Sequence, residues 1–170
     1  MPTLATPAAR RAGVAVIAAI AFSVVAPVAI WFDDRLVAHA LLGQGVVLGS
    51  LSPSLRAVGI VTTLLPSLCL AWGLLGVMPA LRSIGRGEVV PRVGAALHRL
   101  GLSVLLVGLY EPIGRAVLLA ALTLAPGRLA IEIGVSTNAV LLVALGATLM
   151  ALGPVLRGAA AALEENQGFV

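Results

Sequence analysis

Long apolar segments alternate with short polar ones along the chain, and four of the apolar segments are long enough to cross a membrane. A hydrocarbon core of about 30 Å requires about 20 helical residues at about 1.5 Å each. The predicted spans cover approximately residues 12–32, 57–81, 100–125 and 138–156, and charged or turn-forming residues bound them. The pattern predicts one domain, residues 1–170, with an all-α fold in which four transmembrane helices form a bundle.

The first span is interpreted as a retained helix rather than a cleaved signal peptide. Arg10 and Arg11 would suit the positive region that precedes the apolar core of a signal peptide. The apolar run of residues 12–32 is longer than the usual core of about 7–15 residues, and Pro27 lies where cleavage would occur.

The composition excludes a soluble domain. Apolar residues make up 60% of the 170 residues, charged residues make up 11%, and the mean hydropathy is +1.11. Soluble domains contain about 45–50% apolar and about 25% charged residues. So few charges cannot cover the surface of a water-soluble protein of this size. The abundant apolar residues also exclude disorder, and the single cysteine excludes a disulfide scaffold.

The net charge of +4 is the balance of eleven arginines against seven acidic residues, and the arginines are spread between the apolar runs. They form no continuous basic stripe, so direct nucleic-acid binding is not predicted. Their bias between short loops instead predicts the topology, because positive residues favour the cytoplasmic side. With a cytoplasmic N-terminus, the inner side holds seven arginines: Arg10, Arg11, Arg82, Arg86, Arg92, Arg99 and Arg157. The outer side holds Arg35, Arg56 and Arg128, so both termini are predicted to be cytoplasmic.

Short similar sequences favour an internal repeat of two hairpins, residues 9–90 and 91–170. Arg11-Ala12-Gly13-Val14 opens the first span and Arg99-Leu100-Gly101-Leu102 opens the third. Pro79-Ala80-Leu81-Arg82 closes the second span and Pro154-Val155-Leu156-Arg157 closes the fourth. Each half goes out and returns, which would make the repeat parallel. Shared boundary chemistry is the alternative explanation.

Small residues recur at helical spacing in the first and fourth spans. The two stripes are Ala15, Ala19 and Ser23, and Ala144, Ala147 and Ala151. Small residues let membrane helices approach closely. The stripes would therefore pack within the bundle, or bind another membrane protein or a second copy of the chain. The prolines Pro27, Pro66 and Pro112 predict kinks in their helices.

The third span contains the candidate intramembrane polar site, formed by Tyr110, Glu111, Pro112 and Arg115. Glu111 lies about 18 Å of helix beyond Arg99, past the bilayer midplane toward the outer side. A carboxylate in a span is costly unless it is paired, and it is a functional candidate by default. Glu111 and Arg115 share a helix face and can form an ion pair. The alternatives are a proton or small-ligand site and a contact with another subunit.

Two connections between the spans carry further features. The outer one contains Leu36–Leu42, which would form a short interfacial helix capped by Asp33 or Asp34, followed by a glycine-rich segment that is interfacial or partly re-entrant. The inner connection has no phosphate-loop pattern. Its charged residues are candidate contacts for lipid headgroups or a cytoplasmic protein: Arg82, Arg86, Glu88, Arg92 and Arg99.

No pattern in the sequence points to an enzyme, a metal site or a cofactor. His39 and His98 are predicted on opposite sides of the membrane, so they cannot share a metal. Cys69 lies within the second span and is interpreted as a small apolar filler. Nucleophile, zinc and dinucleotide-binding patterns do not occur.

The second half of the chain resembles a family of small bacterial four-span membrane proteins of unknown function. The resemblance rests on Leu81-Arg82-Ser83-Ile84-Gly85-Arg86-Gly87-Glu88, on His98-Arg99-Leu100-Gly101, and on Arg157-Gly158 with the tail through Leu163-Glu164-Glu165-Asn166 to Gly168-Phe169-Val170. The departure is Val89-Val90, where the family commonly has phenylalanine and then a hydroxyl residue. The resemblance implies a bacterial inner-membrane protein. Some members are encoded beside a helix-turn-helix regulator, which implies a membrane-tethered regulatory pair.

Three functions fit this reasoning. The first is a non-enzymatic regulatory or scaffold module that binds a soluble protein at its cytoplasmic face. The second is a small carrier or proton-linked permease that acts as an oligomer around Glu111 and Arg115. The third is an accessory subunit of a larger membrane complex that uses the small-residue stripes. We favour the first and third over the second, because four helices leave little room for a central pathway.

Overall fold

A computed structural model describes residues 7–41, 52–83, 89–123 and 135–167, and these parts of the chain are almost entirely α-helical and contain no β-strand. The helices are α1 (Pro7–Ile30), α2 (Asp34–Leu41), α3 (Pro53–Leu75), α4 (Val77–Ser83), α5 (Val89–Thr123) and α6 (Thr137–Gln167). Four segments are long and apolar enough to cross a membrane: Arg10–Ile30, Pro53–Leu81, Arg92–Leu118 and Thr137–Ala159. The predicted all-α architecture, with four helical segments long and apolar enough to cross a membrane, is confirmed.

Polar side chains cap three of the helices at their first residues. Ser52 precedes α3, and its Oγ accepts a hydrogen bond from the backbone N–H of Leu55 at 3.3 Å. Asp33 precedes α2, and its Oδ1 accepts from the N–H of Arg35 at 2.9 Å. Each cap satisfies a backbone donor that the helix itself leaves free. The predicted short helix after the first span and its aspartate cap are thus confirmed, while the glycine-rich segment of residues 43–49 lies outside the described residues.

The second span is interrupted at Gly76, whereas the helices continue past the prolines of the first three spans. Helices α1, α3 and α5 contain Pro27, Pro66 and Pro112 without a break. At Gly76 the backbone N–H donates to the carbonyl of Gly73 at 3.0 Å, one residue closer than in a regular α-helix. Helix α3 therefore ends at Leu75 and α4 begins at Val77, while the dihedral angles of Gly76 between them (φ −64°, ψ −21°) stay in the right-handed helical region.

The spanning helices pack in chain order. Helix α1 contacts α3, α3 contacts α5, and α5 contacts α6. Within the described parts of the chain, α6 approaches neither α1 nor α3. The short helix α2 contacts α1, and α4 contacts α1, α3 and α5. We call α1 and α6 the edge helices, because each has a single neighbouring span.

Glycines let the backbones of α5 and α6 touch. A Cβ added at Gly101 would lie 2.7 Å from the carbonyl oxygen of Gly146, and one added at Gly94 would lie 2.7 Å from that of Gly153. Gly94, Gly101 and Gly108 are seven residues apart, as are Gly146 and Gly153, so each set lies on one side of its helix. We call these five residues the glycine contact.

The predicted small-residue stripes play no part in the contact between α5 and α6. Ala144, Ala147 and Ala151 are exposed, and the helical rotation places Ala144 and Ala151 on the side of α6 that faces away from α5. Ala15 and Ala19 of α1 are exposed as well. Close packing by small residues occurs as expected, but glycines perform it because the backbones approach too closely for any Cβ.

Trp31, which follows α1, joins that helix to α3. Its ring lies over Gly59, where an added Cβ would be 2.1 Å from the ring, and its Nε1 donates to Thr63 Oγ1 at 3.0 Å. Trp31 is 1% exposed and forms a core with the fully buried Val37 of α2 and with Leu118 of α5. One indole ring thus connects the first two spans, the interfacial helix and the end of α5.

Antiparallel packing of neighbouring spans gives the protein two distinct ends. The Glu111 end contains the end of α1, helix α2, the start of α3, the second half of α5 and the start of α6. The Arg99 end contains the start of α1, helix α4, the start of α5 and the end of α6. The helix positions therefore assign six of the arginines to the Arg99 end: Arg10, Arg11, Arg82, Arg92, Arg99 and Arg157.

Candidate functional site

The Glu111 carboxylate is hydrogen-bonded to the first turn of α6. Ser136 Oγ donates to Glu111 Oε2 at 2.6 Å and accepts from the backbone N–H of Ala139 at 3.0 Å. Ser136 is therefore the N-cap of α6, and its hydroxyl connects that cap to α5. The N-terminus of a helix carries partial positive charge, which stabilises a nearby carboxylate. This arrangement gives the Glu111 carboxyl group a hydrogen-bond donor at the start of α6.

The bond to Ser136 also gives the depth of Glu111. The apolar span of α6 begins at Thr137, directly after Ser136. Glu111 is consequently level with the start of the α6 span, while it lies seven residues before the end of its own span at Leu118. A carboxylate near the membrane boundary is reached by water and is less costly than one at the midplane.

Arg115 does not pair with Glu111. Among the described residues, no ion pair joins these two side chains, and Arg115 is exposed. The intrahelical ion pair that their i,i+4 spacing allows is thus absent from the described structure. The exposed Arg115 side chain is accessible to solvent, and Glu111 Oε2 instead accepts a hydrogen bond from the Ser136 hydroxyl at 2.6 Å.

Tyr110 connects α5 to α3, whereas Glu111 connects α5 to α6. Its hydroxyl donates to the backbone carbonyl of Thr62 at 3.0 Å. The Tyr110 ring lies beside Gly114, where an added Cβ would be 2.7 Å from Cε1. Tyr110 and Glu111, adjacent in sequence, therefore bind two different helices. Each side chain thus connects α5 to a neighbouring span.

An ion pair closes the first hairpin at the same end. Arg56 Nη2 donates to Asp34 Oδ1 at 2.8 Å, and Arg56 Nη1 donates to the carbonyl of Trp31 at 3.3 Å. The sequence analysis did not predict this pair. The available signal was opposite charge at the facing ends of two adjacent spans, since Asp34 follows the first and Arg56 precedes the second.

The side chain of Arg99 extends from α5 toward Gly76, between α3 and α4. Its guanidinium carbon is 4.2 Å from the centroid of the Trp72 ring, a cation–π contact. The side chain passes Gly76, where an added Cβ would be 2.6 Å from Arg99 Cδ. The Nε atom of Arg99 is buried and has no hydrogen-bond partner.

Of the other four residues predicted as cytoplasmic contacts, two lie within the described parts of the chain. Arg92 is exposed near the start of α5, and Arg82 lies in α4. Arg86 and Glu88 lie outside the described residues. The structure thus places Arg99 against α3 and does not bring the five charged residues together into one described surface.

The remaining reactive side chains take structural positions. The half-buried Cys69 has its Sγ 3.8 Å from the carbonyl of Ser103, across the contact between α3 and α5. His98 lies in α5 at the Arg99 end, with Nδ1 3.5 Å from the Met150 carbonyl, while His39 lies in α2 at the other end. Among the described residues, no group of three or more histidine, cysteine or acidic side chains could hold a metal ion.

No protein family, curated protein or solved structure matches this chain.

Proposed function

We propose that this chain is an integral protein of the bacterial cytoplasmic membrane that serves as a non-enzymatic accessory or scaffold subunit. In this proposal both termini are cytoplasmic, the edge helices bind a membrane-embedded partner, and the Arg99 end receives a soluble regulatory protein. The gathering of six arginines at one end supports the orientation, because positive residues near spans favour the cytoplasmic side.

The unpartnered faces of the edge helices carry this proposal. In the most apolar window of α1, no residue is buried within the protein. Helix α6 uses Gly146 and Gly153 against α5 and exposes Ala144, Ala147 and Ala151 elsewhere. A smooth face of small residues allows another helix to approach closely in lipid, where burial of apolar surface gives no driving force.

The use of the polar residues also supports a scaffold over a permease. A transport site requires polar groups that face a pathway and exchange partners. Tyr110 and Glu111 instead bond to α3 and α6, and these bonds hold the helices at fixed positions. The family that the second half of the chain resembles includes members encoded beside a helix-turn-helix regulator, which suggests a soluble regulator as the cytoplasmic partner.

Co-purification from native membranes tests the proposal. The tagged chain, extracted in mild detergent, is expected to retain a stoichiometric partner. The double variant A147L/A151L should lose a membrane partner, because leucine side chains on α6 prevent close helix approach. Removal of the residues after Arg157 should release a soluble partner bound at the cytoplasmic face.

The matched control is A57L, which places leucine at an exposed position on α3 outside both stripes. This variant should retain the partner. Isolation of the unmodified chain without any stoichiometric protein, or equal loss in A57L and A147L/A151L, would contradict the proposal.

A further inference from the structure

We infer that Arg99 binds a phosphate group in the groove between α5 and the α3–α4 break, and that the phosphate belongs to a membrane phospholipid. The inference is independent of the partner protein proposed above. It depends on the hydrogen bonding, the stacking and the membrane depth of one side chain.

The first observation is that the donors of Arg99 have no acceptor among the residues that the structure describes. The guanidinium has five N–H donors and keeps its charge at every physiological pH. In the described structure no hydrogen bond or ion pair reaches it, and its Nε is buried without a partner. A buried, unpaired charged donor is expensive, so the donors that remain accessible need an anion or water.

The second observation is the cation–π contact of the side chain. The guanidinium carbon lies 4.2 Å from the centroid of the Trp72 ring, and Trp72 is 44% exposed. A guanidinium that packs its face on an aromatic ring keeps the donors at its edge free. Two parallel N–H groups at such an edge match two oxygens of a phosphate. Gly76 provides the space, because any side chain there would collide with Arg99 Cδ.

The third observation is the depth of Arg99 below the end of α6. Gly94 packs beside Arg157, two residues before the last span ends at Ala159, with an added Cβ 2.9 Å from Arg157 Cγ. Arg99 lies five residues further along α5, about 7–8 Å further into the span. A cation at this level of a membrane span is unfavourable unless it is paired or its side chain extends to the headgroups. The phosphates of phospholipids are anions at the headgroup level, toward which a long arginine side chain can extend.

A purely structural role for Arg99 makes a different prediction. A cation near the C-terminal end of α3 interacts favourably with the helix dipole without any ligand. In that case Arg99 would contribute to stability, and phospholipid would bind equally well with or without it. The two roles are therefore separated by measuring bound lipid rather than unfolding.

Native mass spectrometry of the delipidated full chain, titrated with phosphatidylglycerol, measures this binding. R99Q should weaken the first binding event by about tenfold to one-hundredfold, as expected for loss of a charge-assisted contact. R11Q removes the same charge at an exposed position on α1 at the same end of the protein, and it should change the affinity by less than about twofold. Equal affinities for R99Q and the unmodified chain, or equal losses in R99Q and R11Q, would overturn the inference.

Two further arms complete the test. Inorganic phosphate at about 10 mM should not displace phosphatidylglycerol if the site faces the lipid. Displacement would instead identify a site for soluble phosphate. If R99Q does not fold, W72L keeps Arg99 and an apolar side chain but removes the stack. W72L should bind phosphatidylglycerol several-fold more weakly, since stacking contributes to the fixed orientation of the guanidinium. Unchanged binding by W72L would refute the proposed geometry.

Discussion

Single residues fix how closely the spans approach each other and which polar groups meet. Gly59 supports the Trp31 ring, and Ser136 holds the Glu111 carboxylate at 2.6 Å. Neither glycine nor serine contributes apolar surface. Their effect comes from position, because one permits van der Waals contact with a ring and the other supplies a donor where a charged acceptor lies.

G59A should destabilise the protein by about 1–3 kcal/mol, because the added methyl group would overlap the Trp31 ring. The free energy of unfolding in mixed micelles measures the effect. The control is G13A on α1, where nothing lies within 4 Å of an added Cβ. G13A should be neutral or stabilising by up to about 1 kcal/mol, since alanine is the better helix former.

Glu111 and Ser136 should be coupled in a double-mutant cycle. E111Q and S136A are each expected to reduce the free energy of unfolding by about 1–2 kcal/mol, with a coupling of about 0.5–2 kcal/mol. R115Q, at an exposed position one turn away, should change stability by less than about 0.5 kcal/mol. Additive effects of E111Q and S136A would contradict the interhelical bond. A proton flux into liposomes that required Glu111 would favour the permease instead.

At this scale the sequence identifies the important residue but not its partner. A carboxylate in an apolar run stands out, and Arg115 is the only ionic partner that helical spacing offers. Ser136 is separated from Glu111 by 25 residues along the chain and precedes α6 as an ordinary cap. Only the close approach of α5 and α6 brings the two side chains together.

At the scale of helices, the glycine contact holds α5 against α6. Its members are spaced by seven residues, about two turns, so five glycines form one continuous line of backbone contact. Close backbone approach increases dispersion contacts and permits weak Cα–H···O bonds, which replace the hydrophobic driving force that lipid removes.

G146A should separate these helices. Its Cβ would lie 2.5 Å from the backbone nitrogen of Leu105, and backbone cannot move aside as a flexible side chain can. We expect a loss of about 2–3 kcal/mol, near the upper end of overpacking costs, measured as resistance of the folded state to denaturing detergent. G158A on the same helix, with open space around its Cβ, is the matched control and should not weaken the fold.

The spans themselves are predicted well because length and hydropathy determine them. The structure places them at Arg10–Ile30, Pro53–Leu81, Arg92–Leu118 and Thr137–Ala159, within several residues of the predicted limits. The break at Gly76 and the residues of the glycine contact are not predicted. With 19 glycines in the chain and equally regular alanine stripes, the sequence does not show which small residues face a neighbour.

At the scale of the whole molecule, four spans lie in a row with arginines concentrated at one end. The hydropathy pattern predicts the number of spans, and arginine positions predict the orientation. The order of packing cannot be read in the same way, because lipid solvates every apolar helix face almost equally well. The parallel repeat of residues 9–90 and 91–170 likewise stays a prediction.

Reporter fusions test the orientation. A reporter fused after Gly87 should be cytoplasmic, and one fused after Gly134 should lie on the opposite side, because a single span separates the two loops. Enzymatic reporters that are active in one compartment only make the measurement. The fusion after Val170 is the internal control and should agree with the one after Gly87; the same compartment at Gly87 and Gly134 would contradict the topology.

Packing in chain order has a consequence for biosynthesis. Each new span that leaves the ribosome finds its neighbour already inserted, since α3 packs on α1, α5 on α3, and α6 on α5. No earlier helix has to move aside or wait for a distant sequence to be translated. Folding can therefore advance one helix at a time with insertion, and a nascent chain stalled after the third span would already hold the Trp31 core and lack only α6.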